Sequence, residues 1–92
     1  MDDLEARSRC RVCGWLFQGP VWEPEEGATY DICPTCGCEA GNEDFTLEST
    51  RKYRKTWIDQ GMKWWYPDSK LEPSPPGWNP KEQMKHIPPA WL

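Results

Sequence analysis

The chain has 92 residues, which is the size of one small domain. Only 37% of the residues are hydrophobic, so the core is small and we expect a cross-link or a metal ion to supply part of the stability. No apolar run approaches the ~20 residues of a membrane span, and the acidic N-terminal residues are unlike a secretory signal, so we expect a cytoplasmic protein without membrane contact. The net charge of −4 disfavours nucleic acid as a partner.

Two CxxCG motifs give the strongest signal in the sequence. They are residues 10–14 (knuckle 1) and residues 33–37 (knuckle 2), and nineteen residues separate Cys13 from Cys33. The two-residue spacer lets both thiolates point at one ion, and the glycine allows the positive φ that the tight turn requires. Two such knuckles, each on a short β-hairpin, are typical of a four-thiolate zinc or iron site.

The predicted metal ligands are Cys10, Cys13, Cys33 and Cys36. We predict that they bind Zn²⁺, with iron as the alternative. Because four thiolates leave no coordination position for water or substrate, we expect a structural ion and no enzymatic activity, although iron in this cage also permits electron transfer. The fifth cysteine, Cys38, is interpreted as a spare thiol, because a ligand set with Cys38 in place of Cys36 would lose the CxxCG turn. An odd number of cysteines without a secretory signal favours a reducing compartment.

Two short β-strands are predicted between the knuckles, at residues 15–17 and 30–32. We expect them to pair as a hairpin whose long loop is rich in acidic residues. Aromatic residues of small folds are usually structural, so we expect the aromatic side chains of this region to cover the metal site and form a small core. They are Trp15, Trp22 and Tyr30.

One longer α-helix is predicted over residues 46–61, with Thr46 or Ser49 as its N-cap and Gly61 at its end. Its apolar stripe consists of Tyr53, Trp57 and Ile58, with Phe45 and Leu47 extending it at the start. Four basic residues occupy the other positions, and we interpret them as a solvated face rather than a nucleic-acid patch. They are Arg51, Lys52, Arg54 and Lys55.

The remaining residues, 62–92, are rich in tryptophan and proline. We expect an ordered, extended wrap over the rest of the fold, because disordered segments are poor in tryptophan. The side chains predicted to fill gaps in the core are Trp64, Trp65, Trp78 and Trp91. A short helix is predicted with Asn79 as its N-cap and Pro80 at its first position, ending before Pro88. The whole chain, 1–92, is therefore predicted to be one small α+β domain: a metal-binding ribbon (9–45), a helix (46–61) and the wrap (62–92).

Charge is distributed unevenly along the chain. Residues 1–50 carry eleven acidic and three basic side chains, whereas residues 51–92 carry eight basic and four acidic ones. We predict that the acidic residues near the knuckles form a surface that binds a basic protein. The candidate partner-binding residues are Glu23, Glu25, Glu26, Asp31, Glu39, Glu43 and Asp44.

The knuckles, CRVCGW and CPTCG with the acidic GNEDF after them, resemble the rubredoxin-type metal-binding domains over residues 9–45. A longer stretch, about residues 9–60, resembles a group of small bacterial cysteine-rich proteins, the CPCC-type family. The matching segments are residues 10–15, residues 30–36 with Glu43 and Asp44, and residues 47–53. The chain departs from that family's pattern in having Arg11 and Val12 inside knuckle 1.

This resemblance implies a rubredoxin-like zinc ribbon in a bacterial, cytoplasmic protein without catalytic activity, in a family associated with toxin systems. The function predicted first is therefore a binding protein, most specifically an immunity protein that neutralises a basic, nuclease-type toxin. The alternative is rubredoxin-like electron transfer through an iron centre. A nucleic-acid-binding zinc ribbon is the least favoured, because of the negative charge.

Overall fold

Short helices and one small hairpin are the regular elements of the computed structural model, which describes residues 4–65 and 76–92. In chain order they are α1 (Leu4–Ser8), β1 (Trp22–Glu23), β2 (Gly27–Ala28), α2 (Leu47–Asp59), α3 (Pro80–Met84) and a 3₁₀ turn (Pro89–Trp91). The architecture is a small α+β fold, in which the largest buried cluster surrounds the cysteines. None of the helices in the described ranges is long and apolar enough to cross a membrane.

The predicted pairing of residues 15–17 with residues 30–32 is wrong. Each knuckle instead folds back on itself, so Leu16 forms an antiparallel bridge with Arg9, and Ile32 forms one with Glu39. The tight turns explain this result, because each turn places the residues on its two sides next to each other, so that they pair locally. The two-stranded sheet lies in the segment predicted to be the loop, where β1 and β2 pair in an antiparallel register and Gly27 takes a φ of 83° at the turn.

Helix α2 confirms the predicted long helix. Thr46 is its N-cap, because the hydroxyl of Thr46 accepts a hydrogen bond from the Ser49 backbone N–H at 3.0 Å. The Ser49 hydroxyl in turn accepts from the Thr46 backbone N–H, so the two side chains form a capping box. The helix ends at Asp59, and Gly61 follows with a φ of 99°.

The buried stripe of α2 is narrower than predicted. Trp57 is buried and Tyr53 is half-buried, whereas Ile58 is exposed. Phe45 and Leu47 are also exposed, so they do not extend the stripe. The structure places Arg54 on the buried face instead, and this corrects the interpretation of all four basic residues as a solvated face.

Arg54 joins three separate parts of the chain. Its Nε donates to the Val12 carbonyl at 2.7 Å, and its Nη2 donates to the carbonyls of Arg11 at 2.7 Å and Trp91 at 2.5 Å. One helical side chain therefore holds both knuckle 1 and the 3₁₀ turn. Hydrogen bonds from a charged donor to buried carbonyls are among the stronger ones in proteins.

A second connection to the 3₁₀ turn is made by Arg11. Its guanidinium lies between two indole rings, 3.5 Å from the ring centroid of Trp22 and 3.7 Å from that of Trp91. Its Nη1 also donates to the Asp44 carbonyl at 3.2 Å. The stack explains why Trp22 and Trp91 are half-buried without belonging to an aliphatic core.

The tryptophan-rich segment packs against the knuckles where it is described. Trp64 lies between Trp15 and Trp78 in edge-to-face contacts, with ring centroids 5.3 and 5.2 Å apart. Helix α3 begins after the N-cap Asn79 and ends at Met84, before Pro88, as predicted. The part of the predicted wrap at residues 66–75 lies outside the described residues.

Two aromatic residues are more exposed than predicted. Trp65 is 44% exposed although its ring lies over Gly37. Tyr30 is 60% exposed, and its φ of 64° is in the left-handed region that non-glycine residues rarely adopt. Tyr30 therefore does not cover the metal site.

We predict that Arg54→Ala lowers the free energy of unfolding by about 2–3 kcal/mol, because three carbonyls lose their charged donor. The control is Lys52→Ala on the exposed side of the same helix, which we expect to change stability by less than about 0.5 kcal/mol. Urea unfolding of the metal-saturated variants measures both effects. Equal stability of the two variants would contradict the role assigned to Arg54.

Candidate metal centre

The two knuckles share one hydrogen-bonding scheme. In knuckle 1 the N–H of Gly14 donates to the Cys10 carbonyl, and the N–H of Cys10 donates to the Trp15 carbonyl. Knuckle 2 repeats both bonds at positions 23 residues later, from Gly37 to Cys33 and from Cys33 to Cys38. Gly14 and Gly37 have φ values of 87° and 81°. The positive φ expected from the CxxCG motif is therefore present in both turns.

The repeated scheme gives the site an approximate twofold symmetry. Two contacts between sulfur atoms run across it, from Cys10 Sγ to Cys36 Sγ and from Cys13 Sγ to Cys33 Sγ, both at 3.6 Å. An exchange of the two knuckles converts one of these contacts into the other. Each knuckle therefore supplies one thiol to each close pair.

The four sulfur atoms fit a single tetrahedral ion. They all lie within 4.8 Å of one another. A Zn–S bond of about 2.3 Å places two sulfurs of a tetrahedron about 3.8 Å apart, close to the observed 3.6 Å. The cysteines are free thiols at separations far longer than the S–S bond of about 2.0 Å. The four predicted ligands are thus brought together as a group that could hold a metal ion.

Burial defines the chemistry of these thiols. The exposed fraction of each of the four side chains is 3% or less. Burial raises the pKa of the Cys13 and Cys36 thiols well above the ordinary value, whereas hydrogen bonds from the neighbouring thiols lower the pKa of Cys10. A bound cation supplies the positive charge that stabilises all four as thiolates.

Cys38 occupies the place in knuckle 2 that Trp15 occupies in knuckle 1. Each follows its CxxCG turn directly and accepts, through its carbonyl, the hydrogen bond from the first cysteine of its knuckle. Cys38 is 2% exposed, so this thiol is buried beside the sulfur cluster. The four-thiol group that could hold an ion does not include it. Cys38 therefore packs against the sulfur cluster from the position that directly follows the turn of knuckle 2.

Three elements enclose the knuckles. The C-terminal end of α3 lies so close to Gly14 that a Cβ there would collide with the Gln83 carbonyl oxygen, and the Gln83 side chain donates to the Cys13 carbonyl at 3.3 Å. The indole of Trp65 covers Gly37 in the same manner. From α2, the Tyr53 hydroxyl donates to the Cys36 carbonyl at 2.9 Å. Helix α2 therefore contacts both knuckles, through Tyr53 and Arg54.

The structural roles of Arg54 and Arg11 are absent from the sequence prediction. Helical spacing contains a signal for the first, because Thr50, Arg54 and Trp57 follow one another at i, i+4 and i+7, and both neighbours are buried. Arg11 lies inside the CxxC motif. Its contact with Trp91 could not be predicted, because the two residues are far apart in the sequence.

The predicted acidic residues differ in exposure and in hydrogen-bond partners. Glu25 and Glu26 are exposed at the turn between β1 and β2, and Glu23 in β1 pairs with Arg7 at 3.4 Å. Asp31 is exposed and accepts a hydrogen bond from the Thr29 hydroxyl at 2.7 Å. Glu39 and Glu43 are half-buried.

Asp44 is a correction to the predicted binding surface, because it is 2% exposed. Its carboxylate accepts a hydrogen bond from the Gly41 N–H at 2.7 Å. Burial raises the pKa of Asp44, and the hydrogen bond from Gly41 partly offsets that effect. The residue closes a turn inside the fold, so it offers no contact to a partner.

Two curated proteins of Bacillus subtilis (strain 168) are similar to this chain. The uncharacterized protein YoaQ is 35% identical over 58% of this chain and 58% of YoaQ. The uncharacterized protein YozI is 34% identical over 59% of this chain and 59% of YozI. The chain thus spans less than two thirds of either relative. No family model matches the chain, and no solved structure matches it.

We predict that Cys36→Ser weakens metal binding and that Cys38→Ser leaves it unchanged. With Co²⁺ as the probe, Cys36→Ser should weaken binding strongly and reduce the thiolate-to-cobalt absorption, because a ligand is lost. Cys38→Ser should bind Co²⁺ as the unsubstituted chain does, since the other four thiols remain. A loss of binding in Cys38→Ser with retention in Cys36→Ser would establish the alternative ligand set.

Proposed function

We propose that this chain is a zinc-stabilised protein-binding module whose partner is a basic protein, and in its most specific form an immunity protein that neutralises a basic, nuclease-type toxin in the bacterial cytoplasm. The observation that carries the proposal is the combination of a closed, buried sulfur cluster with exposed carboxylates on the adjacent hairpin. The association with toxins comes from the resemblance to the CPCC-type family.

The geometry of the cysteines supports a stabilising role for the ion. Four thiolates complete a tetrahedral zinc site, and such sites stabilise folds rather than bind substrates. The four sulfurs come two from each knuckle, so a bound ion would join two segments whose surrounding side chains are mainly aromatic or sulfur-containing rather than aliphatic. The chemistry that the protein offers to a partner therefore lies on its exterior.

The exposed exterior near the knuckles is acidic. Glu25 and Glu26 stand at the tip of the β1–β2 hairpin, and Asp31 is exposed nearby in the sequence. No Lys or Arg occurs between Val12 and Thr50 in the sequence, and the ion pair that Arg7 forms on this hairpin is with Glu23 rather than with the two residues of the tip. Clustered charges of one sign accelerate association with an oppositely charged partner by long-range attraction.

Electron transfer remains the alternative function, because iron fits the same four-sulfur cage. We predict that protein isolated from its native cells is colourless and contains one Zn²⁺ per chain, measured by elemental mass spectrometry. Stoichiometric iron with a reversible redox wave in voltammetry would support the electron-transfer function and contradict the proposal. The native source is essential, since iron and zinc exchange during overexpression.

The binding function is tested by charge reversal on the hairpin. The bait is the full chain, tagged and captured with its partner from native cells, and association is then measured with the purified, sequenced partner. We predict that Glu25→Lys/Glu26→Lys slows association about tenfold at low salt, because the attractive charge is removed.

The matched control for that variant is Glu48→Lys/Asp59→Lys, which makes the same change of net charge at exposed positions of α2. We expect its association rate to fall much less, and the rate of the unsubstituted chain to fall as salt rises. A partner that associates equally fast with both variants at all salt concentrations would refute a role for the hairpin. A captured partner without toxicity would refute the immunity function.

A further inference from the structure

An open groove lies between the two knuckle hairpins, and its lining includes none of the four clustered cysteines and neither Glu25 nor Glu26. Its volume is about 530 Å³, and the strand segments next to the two knuckles line it together with Trp65. The most exposed apolar residues of its walls are Leu16, Ile32 and Trp65, at 48%, 50% and 44%. Exposed apolar residues that converge on one groove mark a binding surface more often than scattered ones do.

Two residues of the groove walls, Leu16 and Ile32, also have free backbone groups. Leu16 and Ile32 each occupy a non-hydrogen-bonded position of an antiparallel bridge, because the bonds that close the bridges come from the residues on either side of them. Their own N–H and C=O groups therefore point away from their hairpins. Within the described parts of the chain, neither backbone forms a hydrogen bond. The groove thus has an open strand edge at each of two walls.

We propose that this groove binds an extended segment of a partner protein, which adds as a β-strand between Leu16 and Ile32. An inserted strand would satisfy the free backbone groups of both edges, and its apolar side chains would cover Leu16, Ile32 and Trp65. A strand rises ~3.3 Å per residue, neighbouring strands lie ~4.8 Å apart and packed sheets ~10 Å apart, so one extended residue occupies about 160 Å³. The volume of the groove therefore accommodates about three residues.

Charge specifies the segment further. Asp31 is the charged side chain among the described residues that line the groove. One of its carboxylate oxygens accepts from the Thr29 hydroxyl, and the residue is exposed. The segment that fits is therefore apolar, β-branched or aromatic, with a Lys or Arg next to Asp31. This inference rests on the proposed binding function for its natural occupant, but the groove itself is independent of the acidic hairpin.

The probe is a displayed library of random peptides, about ten residues long, selected on the metal-loaded full chain. We expect selected peptides with alternating apolar residues and one basic residue. Replacing Leu16→Ser and Ile32→Ser together should lower their affinity at least about tenfold, because two apolar contacts are lost. The double variant Phe45→Ser/Ile58→Ser removes two exposed apolar residues outside the groove, one before α2 and one within it, and it should bind as the unsubstituted chain does.

Backbone pairing is tested separately on the best selected peptide. N-methylation of alternate amides removes the donors along one edge of a strand, and N-methylation of the other set removes those along the opposite edge. We expect each set to lower affinity about tenfold. If both methylated peptides bind as tightly as the unmodified one, strand addition is overturned. If only one of the two methylated peptides binds more weakly, pairing with both edges is overturned. Asp31→Asn should weaken binding about threefold, and no change there would overturn the basic residue.

Two other occupants are distinguished in the same assay. If the chain is a dimer by light scattering and the selected peptide dissociates it, a second copy fills the groove and a partner segment is not required. If replacing residues 66–75 by a Gly–Ser linker raises peptide affinity, the chain's own segment competes and the proposal fails. If no peptide is enriched over the Leu16→Ser/Ile32→Ser variant, the groove has no strand-binding function, whereas capture of a basic partner through Glu25 and Glu26 is unaffected by that result.

Discussion

The convergence of four thiols is the constraint on which the rest of this fold depends. Two CxxCG turns must place sulfur atoms 3.6 Å apart in a chain where few aliphatic side chains are available for a core. The knuckles satisfy it by repeating one hydrogen-bonding scheme about an approximate twofold axis. An ion bound by the four thiols would replace much of the stabilisation that hydrophobic burial supplies in larger domains.

Polar side chains, rather than aliphatic ones, fasten the surrounding elements to this cluster. Arg54 and Tyr53 are neighbours on α2, and they bind carbonyls of knuckle 1 and knuckle 2 respectively. Arg11 and Arg54 both hold the 3₁₀ turn, one by stacking on Trp91 and the other by a hydrogen bond to the Trp91 carbonyl. Knuckle carbonyls that face inward need donors, and long cationic side chains reach them while their stems cover apolar surface.

The parts of the fold governed by local chemistry were predictable from the sequence. The grouping of the four cysteines follows from CxxCG, and α2 and α3 follow from Thr46 and Asn79 as caps. The strand pairing and the buried state of Asp44 were not predictable, because each depends on which segments meet in three dimensions. The position of Arg54 was predictable only in part. Its spacing from Trp57 places it on the buried face of α2, whereas a charged side chain is usually expected in solvent.

The approximate twofold symmetry also allows the groove to be compared with its symmetry-related position across the sulfur cluster. It relates Leu16 to Glu39 and Ile32 to Arg9, so the edge pair of the groove has a counterpart made of charged residues. In that charged pair Arg9 directly follows α1, and its N–H donates to the Ala6 carbonyl of the helix at 3.3 Å. The Arg9 guanidinium further donates to the Gly14 carbonyl. At the charged pair the Arg9 N–H is therefore used by the last turn of α1, whereas Leu16 and Ile32 keep free backbone groups and exposed apolar side chains, which is the difference expected if the groove binds another molecule.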